Sequence, residues 1–391
     1  MPPLRVHLRC LRLTAASGVT SEGWNPRWPS AMALDDFRDE LAATAAALAS
    51  PGSGLLAADE STGTIGKRFE AIGLENGEEQ RRAYRTLLAT TEHLSEHISG
   101  VILFEETLFQ DSTSEAGGVP IVELFQAQGI VPGIKVDQGV EPLAGGVVGE
   151  SWCTGLKGLA ERAARYYARG ARFAKWRAVL QISANGAPSE LAVRENAWGL
   201  ARYARTVQEQ GLVPIVEPEI LMDGDHDITT TASVQEWVLR TTYEALAVNG
   251  VFLEGSLLKP SMTCAGAGCP QQPSADEVGA FTVRTLSRSV PAAVPAILFL
   301  SGGLSEEDAS LCLNAINQVA AQSDVPWHLG FSYGRALQHS CLKHWGGQDV
   351  AAGQAALLAR ARANGAASCG LYEPGSEPSV DTSLFVANYS Y

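Results

Sequence analysis

The sequence predicts an α/β fold of the (β/α)₈ type, in which one barrel of eight parallel strands alternates with helices. The first observation is a repeated pattern, because short apolar runs are each followed by a turn and an amphipathic segment. The second is the number of these units, since eight of them fit a closed barrel better than an open, doubly wound sheet. The third is composition: 46% of the residues are hydrophobic and only 18% are charged, which indicates a large buried core.

The strands and helices can be placed in chain order. The eight predicted strands are residues 54–60, 98–104, 131–137, 173–179, 213–219, 252–259, 296–302 and 328–334. Predicted helices between them include residues 78–94, 156–170 and 191–210, and an extra helix over 35–49 precedes the first strand. The barrel domain is therefore expected over residues 33–369. The remaining residues, 370–391, are rich in Gly, Ser and Pro and predict a flexible C-terminal tail.

The first 32 residues differ in composition from the rest. They contain four arginines and a single acid, Glu22, with no pattern of core residues. Arginine-rich, acid-poor leaders of this kind resemble organelle transit peptides. An unstructured extension, or a true start at Met32, fits the same composition. The expected compartment is therefore the plastid stroma if this segment is a transit peptide, and the cytoplasm otherwise.

Charge and cysteine usage exclude several classes of protein. A net charge of −14 argues against general nucleic-acid binding, and no apolar run reaches the 18 residues of a membrane span. Seven scattered cysteines do not form a disulfide framework. Cys264 and Cys269 flank a glycine-rich loop and are either two ordinary thiols or a redox-sensitive pair. The seven histidines lack a convincing ligand set, so neither a metal nor another cofactor is expected.

Charged residues gather where the predicted strands end. Lys259 closes an apolar run, and the two preceding strands carry Lys175 with Arg177 and Glu217 with Glu219. Other strand ends carry Asp59, Lys135, Asp137, Ser301 and Ser332. In (β/α)₈ barrels the active site lies at the C-terminal ends of the strands. Buried ion pairs that only satisfy one another are the alternative, but such pairs are weak evidence for stability, and function is therefore favoured.

The types of residue at these strand ends indicate Schiff-base chemistry. A lysine with the usual pKa of about 10.4 is neutral in only about one part in a thousand near pH 7.4. A neighbouring cation and desolvation both lower the pKa of such an amine, and Lys175 can supply the cation. Glu217 can act as acid and base at the attacked carbon, and Asp59 can accept a hydroxyl proton. The pattern predicts carbon–carbon cleavage beside an iminium.

Two basic turns point to a phosphorylated substrate. The backbone amides of Gly302 and Gly303 follow the seventh strand, and Arg335 follows the eighth, which is the usual phosphate cradle of these barrels. A second basic turn carries Arg68 after the first strand. It is not a Walker A loop, because Ser61 stands where that motif requires Gly. Two such sites on opposite sides of the barrel mouth would suit a substrate with two phosphates.

Over residues 35–391 these motifs resemble one family, the class I fructose-bisphosphate aldolases of plants and algae. The matching segments, in the family's order, are LLAADESTGTIGKR (55–68), GVILFEETL (100–108), GIKVDQGVEPLAG (133–145), ARFAKWRAVL (171–180), LVPIVEPEIL (212–221), LLKPSM (257–262), FLSGG (299–303), SYGRAL (332–337) and the terminal Tyr391. Leu304 and the loop after Met262 depart from the family pattern but remove no catalytic group. The resemblance implies a homotetramer acting on a small sugar bisphosphate.

The resemblance also implies roles for individual residues. Lys259 would form the Schiff base and Glu217 would be the principal acid and base. The supporting polar network would be Asp59, Lys135, Lys175, Arg177 and Glu219. One phosphate would be held by Ser301, Gly302, Gly303, Ser332 and Arg335, and the other by Arg68 with Ser61 and Thr64. Tyr391 would reach the site from the tail and assist proton transfer.

The activity implied is the reversible cleavage of fructose 1,6-bisphosphate to glycerone phosphate and glyceraldehyde 3-phosphate. Two alternatives stay open at this point. One is a Schiff-base aldolase for another phosphorylated sugar, such as sedoheptulose 1,7-bisphosphate. The other is an additional binding or scaffold role.

Overall fold

The computed structural model describes residues 32–387 and contains a closed barrel of eight parallel strands. Each barrel strand pairs with its neighbours in chain order, and the last returns to the first. The barrel strands are β1 (Gly54–Ala58), β2 (Ile98–Leu103), β3 (Val131–Lys135), β6 (Phe173–Leu180), β7 (Val213–Ile220), β8 (Leu257–Leu258), β9 (Ala296–Phe299) and β10 (His328–Tyr333). A separate antiparallel hairpin, β4 (Val140–Pro142) and β5 (Ser151–Cys153), was not predicted from the sequence. The predicted fold class is confirmed.

Helices occupy the connections between the strands. They are α1 (Met32–Asp35), α2 (Arg38–Leu48), α3 (Thr62–Glu70), α4 (Glu78–Ala89), α5 (Glu105–Phe109), α6 (Ile121–Ala127), α7 (Leu159–Ala168), α8 (Glu190–Gln208), α9 (Ile228–Val248), α10 (Ala275–Ser289), α11 (Glu306–Ala320), α12 (Arg335–Trp345) and α13 (Val350–Ala367). Several begin at a side-chain cap; Ser274, for example, forms a capping box with Glu277 before α10. No helix within residues 32–387 combines the length and apolar character needed to cross a bilayer.

Apolar packing closes the barrel at the N-terminal ends of its strands. Leu41 and Leu48 of α2 belong to a buried cluster with Leu55, Phe173 and Val213, which lie near the starts of three strands. The outer face of the barrel is equally apolar: Trp176 points away from the interior and stacks on Tyr203 of α8 at 5.4 Å. Since both regions are filled, the charged side chains of the strands are left to the opposite end of the barrel.

The sixth barrel strand is shorter than predicted. A 3₁₀ turn, Leu253–Gly255, occupies three of the eight residues of the expected strand, and β8 itself is only two residues long. The amide of Gln208 satisfies the backbone of this turn, because its Nε2 donates to the carbonyls of Phe252 and Gly255 and its Oε1 accepts from the Phe252 N–H. The hydrogen-bonded pairing of β8 with β7 therefore begins only at Leu257. It still continues to Lys259, whose N–H donates to the Val216 carbonyl at 2.8 Å.

A pair of glycine substitutions tests this packing. Gly133 on β3 lies opposite Phe173, and a Cβ at residue 133 would lie under 3.0 Å from the Phe173 ring. Gly133→Ala is expected to lower the free energy of unfolding by about 1–3 kcal/mol, because a filled core resists an added methyl group. Gly199→Ala is the control, since a Cβ there meets nothing within 4 Å. Alanine also favours the helical conformation of α8 over glycine, so this variant should be more stable than the wild type by up to about 1 kcal/mol. Urea unfolding measures both, and equal stability of the two variants would contradict the packing described.

Candidate active site

Four charged side chains from four strands meet inside the C-terminal end of the barrel. Lys175 lies on β6, Glu217 on β7, Lys259 directly after β8 and Asp59 directly after β1. Each is at most 2% exposed. Because these positions face the interior at the level where the strands end, their side chains converge although they are far apart in the sequence.

The Glu217 carboxylate lies between the two lysines. Its Oε1 is 3.1 Å from Lys259 Nζ, and its Oε2 is 3.4 Å from Lys175 Nζ. Lys175 Nζ in turn lies 2.8 Å from Asp59 Oδ2. The result is a continuous row of ion pairs, in the order Asp59, Lys175, Glu217 and Lys259. The sequence predicted these four residues as one constellation, and the structure brings them together.

A second group of charges surrounds this row. Lys135 forms an ion pair with Asp137 and donates to its backbone carbonyl at 2.8 Å. Arg177 forms an ion pair with Glu219 on the neighbouring strand. Burial alone would raise the pKa of Glu219, but the guanidinium of Arg177, with Arg335 and Lys259, outweighs burial and lowers it. Glu219 is therefore an anion that orients Arg177.

Asp59 is also held ionised. Burial opposes its charge, yet the ammonium groups of Lys175, Lys259 and Lys135 outweigh burial and lower the pKa of Asp59 to about 2. At neutral pH this carboxylate is available to accept a proton from a bound hydroxyl group.

The lowered pKa has a consequence for stability in acid. A carboxylate whose pKa is near 3.8 in the unfolded chain and about 2 in the folded protein contributes stability above pH 3.8, which is lost as the pH falls through 2. Between pH 4 and pH 2 the unfolding free energy of the wild type should fall by about 2 kcal/mol more than that of Asp59→Asn. Urea unfolding across this range measures the difference. Asp36→Asn, at an exposed aspartate, is the control, and parallel curves for the wild type and Asp59→Asn would contradict the prediction.

An open cleft leads from Lys259 and Glu217 to the loops after β9 and β10. It is lined further by Ser301, Gly302, Ser332, Gly334, Arg335 and Arg68. Gly302 and Gly303 have φ values of +62° and +111°, which glycine adopts without strain, so the turn after β9 depends on them. The sequence predicted this cradle of hydroxyl, amide and guanidinium groups, and the structure assembles it at one edge of the barrel mouth.

The expected position of Arg68 is corrected. The sequence placed Arg68 and Arg335 on opposite sides of the mouth, whereas both line the same cleft. The reason is barrel closure: β1 pairs with β10, so the elements that follow these strands are neighbours. A Cβ at Gly334 would lie 3.9 Å from Arg68 Nη2.

The remaining predicted residues lie around the mouth and in the tail. Ser61 caps α3 by accepting from the Thr64 N–H at 3.3 Å, and the two hydroxyl groups are 3.0 Å apart. In the tail, the Leu384 N–H donates to the Gly303 carbonyl at 3.0 Å, and Arg335 donates to the Leu384 carbonyl. Tyr391 lies outside the described residues, as does the leader segment.

Three residues that support this site were not predicted from the sequence. Glu60, Arg85 and Gln338 form a buried polar cluster behind Arg68. The one sequence feature that could have indicated this cluster is a second acidic residue, Glu60, directly after Asp59.

The two cysteines of the glycine-rich loop differ in exposure. Cys264 is buried, which raises the pKa of its thiol to about 12, and Cys269 is partly exposed. Both are free thiols, and a redox link between them stays a prediction.

Comparison with known proteins identifies the family. A family model described as class-I fructose-bisphosphate aldolase matches residues 40–391. The chain is 54% identical to the chloroplastic fructose-bisphosphate aldolase of Oryza sativa, covering 91% of this chain and 90% of that protein. It is also 54% identical to the cytoplasmic isozyme 2 of Pisum sativum, covering 91% and 98%.

A solved structure agrees with these relatives. The fructose-bisphosphate aldolase of Plasmodium falciparum superimposes with a TM-score of 0.84 at 53% identity, covering 87% of this chain and 97% of that one. With the barrel and the lysine–carboxylate site already described, the family assignment follows from sequence and structure together. The chain belongs to the class I fructose-bisphosphate aldolases.

Proposed function

We propose that this protein reversibly cleaves fructose 1,6-bisphosphate to glycerone phosphate and glyceraldehyde 3-phosphate through a Schiff base on Lys259. The observation that carries the proposal is the placement of Glu217, whose two oxygens lie 3.1 Å from Lys259 Nζ and 3.4 Å from Lys175 Nζ. A buried amine beside a carboxylate and a second cation is the arrangement that amine nucleophiles require.

The first half of the reaction uses Lys259 and Glu217. Glu217 takes one proton from the Lys259 ammonium, the neutral amine attacks the ketone carbon, and the protonated Glu217 gives this proton to the carbonyl oxygen to form the carbinolamine. The proton then lost from nitrogen passes to Glu217. The protonated Glu217 then returns a proton to the carbinolamine hydroxyl, which leaves as water and gives the iminium. Lys175 keeps the carboxylate in place through its 3.4 Å contact and balances the charge that develops there.

The second half uses Asp59. Its carboxylate accepts the proton of the hydroxyl at the position next to the bond that breaks. The carbon–carbon electron pair then moves into the iminium, leaving an enamine and a free aldehyde. Tyr391 is proposed to supply the proton that converts the enamine back to the iminium. Water then adds to the iminium by the reverse of the first half, which releases glycerone phosphate and restores Lys259. The proton held by Asp59 returns to Tyr391 through solvent.

The two phosphates are proposed to bind at opposite edges of the mouth. The first is proposed to lie in the cleft lined by Ser301, Gly302, Ser332, Arg335 and Arg68, with Gly303 in the adjoining turn. The second is proposed to face Lys135, because the order of the strands places β3 across the barrel from β9. Arg177 on β6 lines the same cleft as Arg335 and is proposed to contact the substrate there. Ser61 and Thr64, at the N-terminus of the helix that carries Arg68, are proposed to add hydroxyl and amide donors at the edge formed by β1 and β10.

Cleavage assays test the function and the choice of substrate. Fructose 1,6-bisphosphate should be cleaved with the highest kcat/KM, ahead of fructose 1-phosphate, which lacks one phosphate. Sedoheptulose 1,7-bisphosphate is the second candidate, since it carries the same two end groups at a greater separation. Activity should survive EDTA. No cleavage of any of these sugars, or full loss of activity in EDTA, would overturn the proposal.

Assembly and compartment are proposed from the family. We propose a homotetramer, which mass photometry would show as a species near four times the 41.4 kDa chain mass. We also propose that residues 1–32 direct import into plastids, supported by their arginine-rich composition and by chloroplastic relatives. A fluorescent protein carrying these residues should enter the stroma, and a cytoplasmic signal would instead favour a start at Met32.

A further inference from the structure

A buried carboxylate lies behind the phosphate cleft and contacts none of the reacting groups described above. Glu60 is 2% exposed and follows Asp59 at the end of β1. Its Oε1 accepts from Arg68 Nη1, and its Oε2 accepts from Arg85 Nη2 at 2.7 Å. One oxygen therefore faces the arginine that lines the cleft, and the other faces an arginine on α4 that does not.

Arg85 has no direct access to a ligand. Its side chain is 4% exposed and it is not among the residues that line the cleft. The proposed mechanism does not use it, and a buried ion pair is weak evidence for stability alone, since apolar residues of similar size often do as well. The position of Arg85, directly behind Glu60, indicates a role exerted through that carboxylate.

The charges of this cluster show what that role is. Glu60 alone would cancel the positive charge of Arg68, and the pair would then add no net positive charge to that of Arg335 at this edge of the cleft. Arg85 restores the balance, because two guanidinium groups and one carboxylate leave one net positive charge. Burial opposes the ionisation of Glu60, but Arg68 and Arg85 outweigh it and lower the pKa of Glu60, so the cluster stays charged.

The same carboxylate connects Arg68 to the helix that carries Arg335. Gln338 Nε2 donates to Glu60 Oε1 at 3.0 Å and to the Ala57 carbonyl at 2.7 Å. Gln338 lies one helical turn after Arg335 at the start of α12, and Tyr84 holds the Gln338 amide by donating to its Oε1 at 3.0 Å. Glu60 thereby fixes the side chain of Arg68 and the helix that carries Arg335.

We propose that Arg85 is a positioning residue for phosphate binding, acting through Glu60 to keep Arg68 oriented and the cleft positively charged. The inference rests on the proposed function in that it concerns the same cleft. It is independent of catalysis, because it is a statement about the binding of a phosphate anion.

Calorimetric titration of the full-length protein with inorganic phosphate at low ionic strength tests the inference. Arg85→Met should weaken phosphate binding about tenfold, since a positive charge close to the site is lost in a region of low dielectric. The double variant Glu60→Gln/Arg85→Met should bind within about threefold of the wild type, because removing both charges restores the net charge of the cluster and glutamine still offers Arg68 an oxygen. Arg82→Met is the matched control, as Arg82 lies on the same helix and pairs with exposed Glu78.

The phosphate titrations and the activity assays test the inference and the proposed function separately. Unchanged phosphate affinity in Arg85→Met, or a double variant that binds as weakly as Arg85→Met, would overturn the inference. If Arg85→Met does not fold, Glu60→Gln alone provides the test. It should bind phosphate several-fold more tightly than the wild type, and weaker binding than the wild type would overturn the inference. In active protein, Arg85→Met should raise KM for the bisphosphate while kcat stays within about twofold. Phosphate binding as expected with no sugar cleavage would overturn the proposed function and leave this inference standing.

Discussion

Lys259→Met is expected to lower turnover of fructose 1,6-bisphosphate by about 10⁵-fold or more, the scale found when a covalent nucleophile is removed. Methionine has a similar length and leaves Glu217 paired with Lys175, whose Nζ is 3.4 Å from the carboxylate. The variant should therefore fold. Borohydride reduction in the presence of glycerone phosphate should trap a covalent adduct on residues 257–262 of the wild type and none on the variant, as seen by mass spectrometry.

The control for this prediction is a lysine remote from the site. Lys157 is exposed, so Lys157→Met should retain both activity and the trapped adduct. Retention of the adduct by Lys259→Met would mean that another lysine forms the Schiff base. Lys175 would then be the first candidate, because it shares the Glu217 carboxylate.

Glu217→Gln is expected to have the second largest effect, a fall in turnover of about 10²- to 10⁴-fold. Glutamine keeps the shape of the side chain and can still contact both lysines, but it can neither accept the proton of the attacking amine nor deliver one to the departing hydroxyl group. Rapid-quench trapping should show that the Schiff base still forms, at a much lower rate. KM should change far less than kcat, because Glu217 acts on the reacting atoms.

A buried carboxylate elsewhere provides the comparison for Glu217. Glu150 is also buried and bonds the Ser189 hydroxyl at 2.7 Å. Glu150→Gln should alter stability while leaving the rate of Schiff-base formation unchanged. A Glu217→Gln variant that trapped the adduct at the wild-type rate would show that another group transfers the proton, and Asp59 would be tested next.

Much of the fold could be predicted from the sequence because barrel strands are short apolar runs with regular spacing. All eight runs are strands at or near the expected positions. Two features depart from this prediction, and each has a physical cause. The run at residues 252–259 begins with a 3₁₀ turn because a distant side chain, Gln208, satisfies its backbone, and no pattern within the run indicates this. The hairpin β4–β5 has three-residue strands, too short to show an alternation.

The central site was also predictable from one property of parallel barrels, the common position of their strand ends. The ends of all strands meet on one side, so Lys175, Glu217, Lys259 and Asp59 had to be near one another whatever the details of packing. The identity of these residue types then indicated the chemistry. A lysine, an acid and a second cation in a buried layer have few uses other than amine catalysis.

What the tertiary structure alone decided is how the charges are paired and which edge of the mouth each occupies. Barrel closure brings β1 beside β10 and so places Arg68 with Arg335, although 267 residues separate them in the chain. Contacts at such separation leave no periodic trace, and the same is true of Arg85 and Gln338 behind Glu60. Residue type and strand spacing determine which groups reach the site, whereas only three-dimensional packing determines which of them neutralise one another.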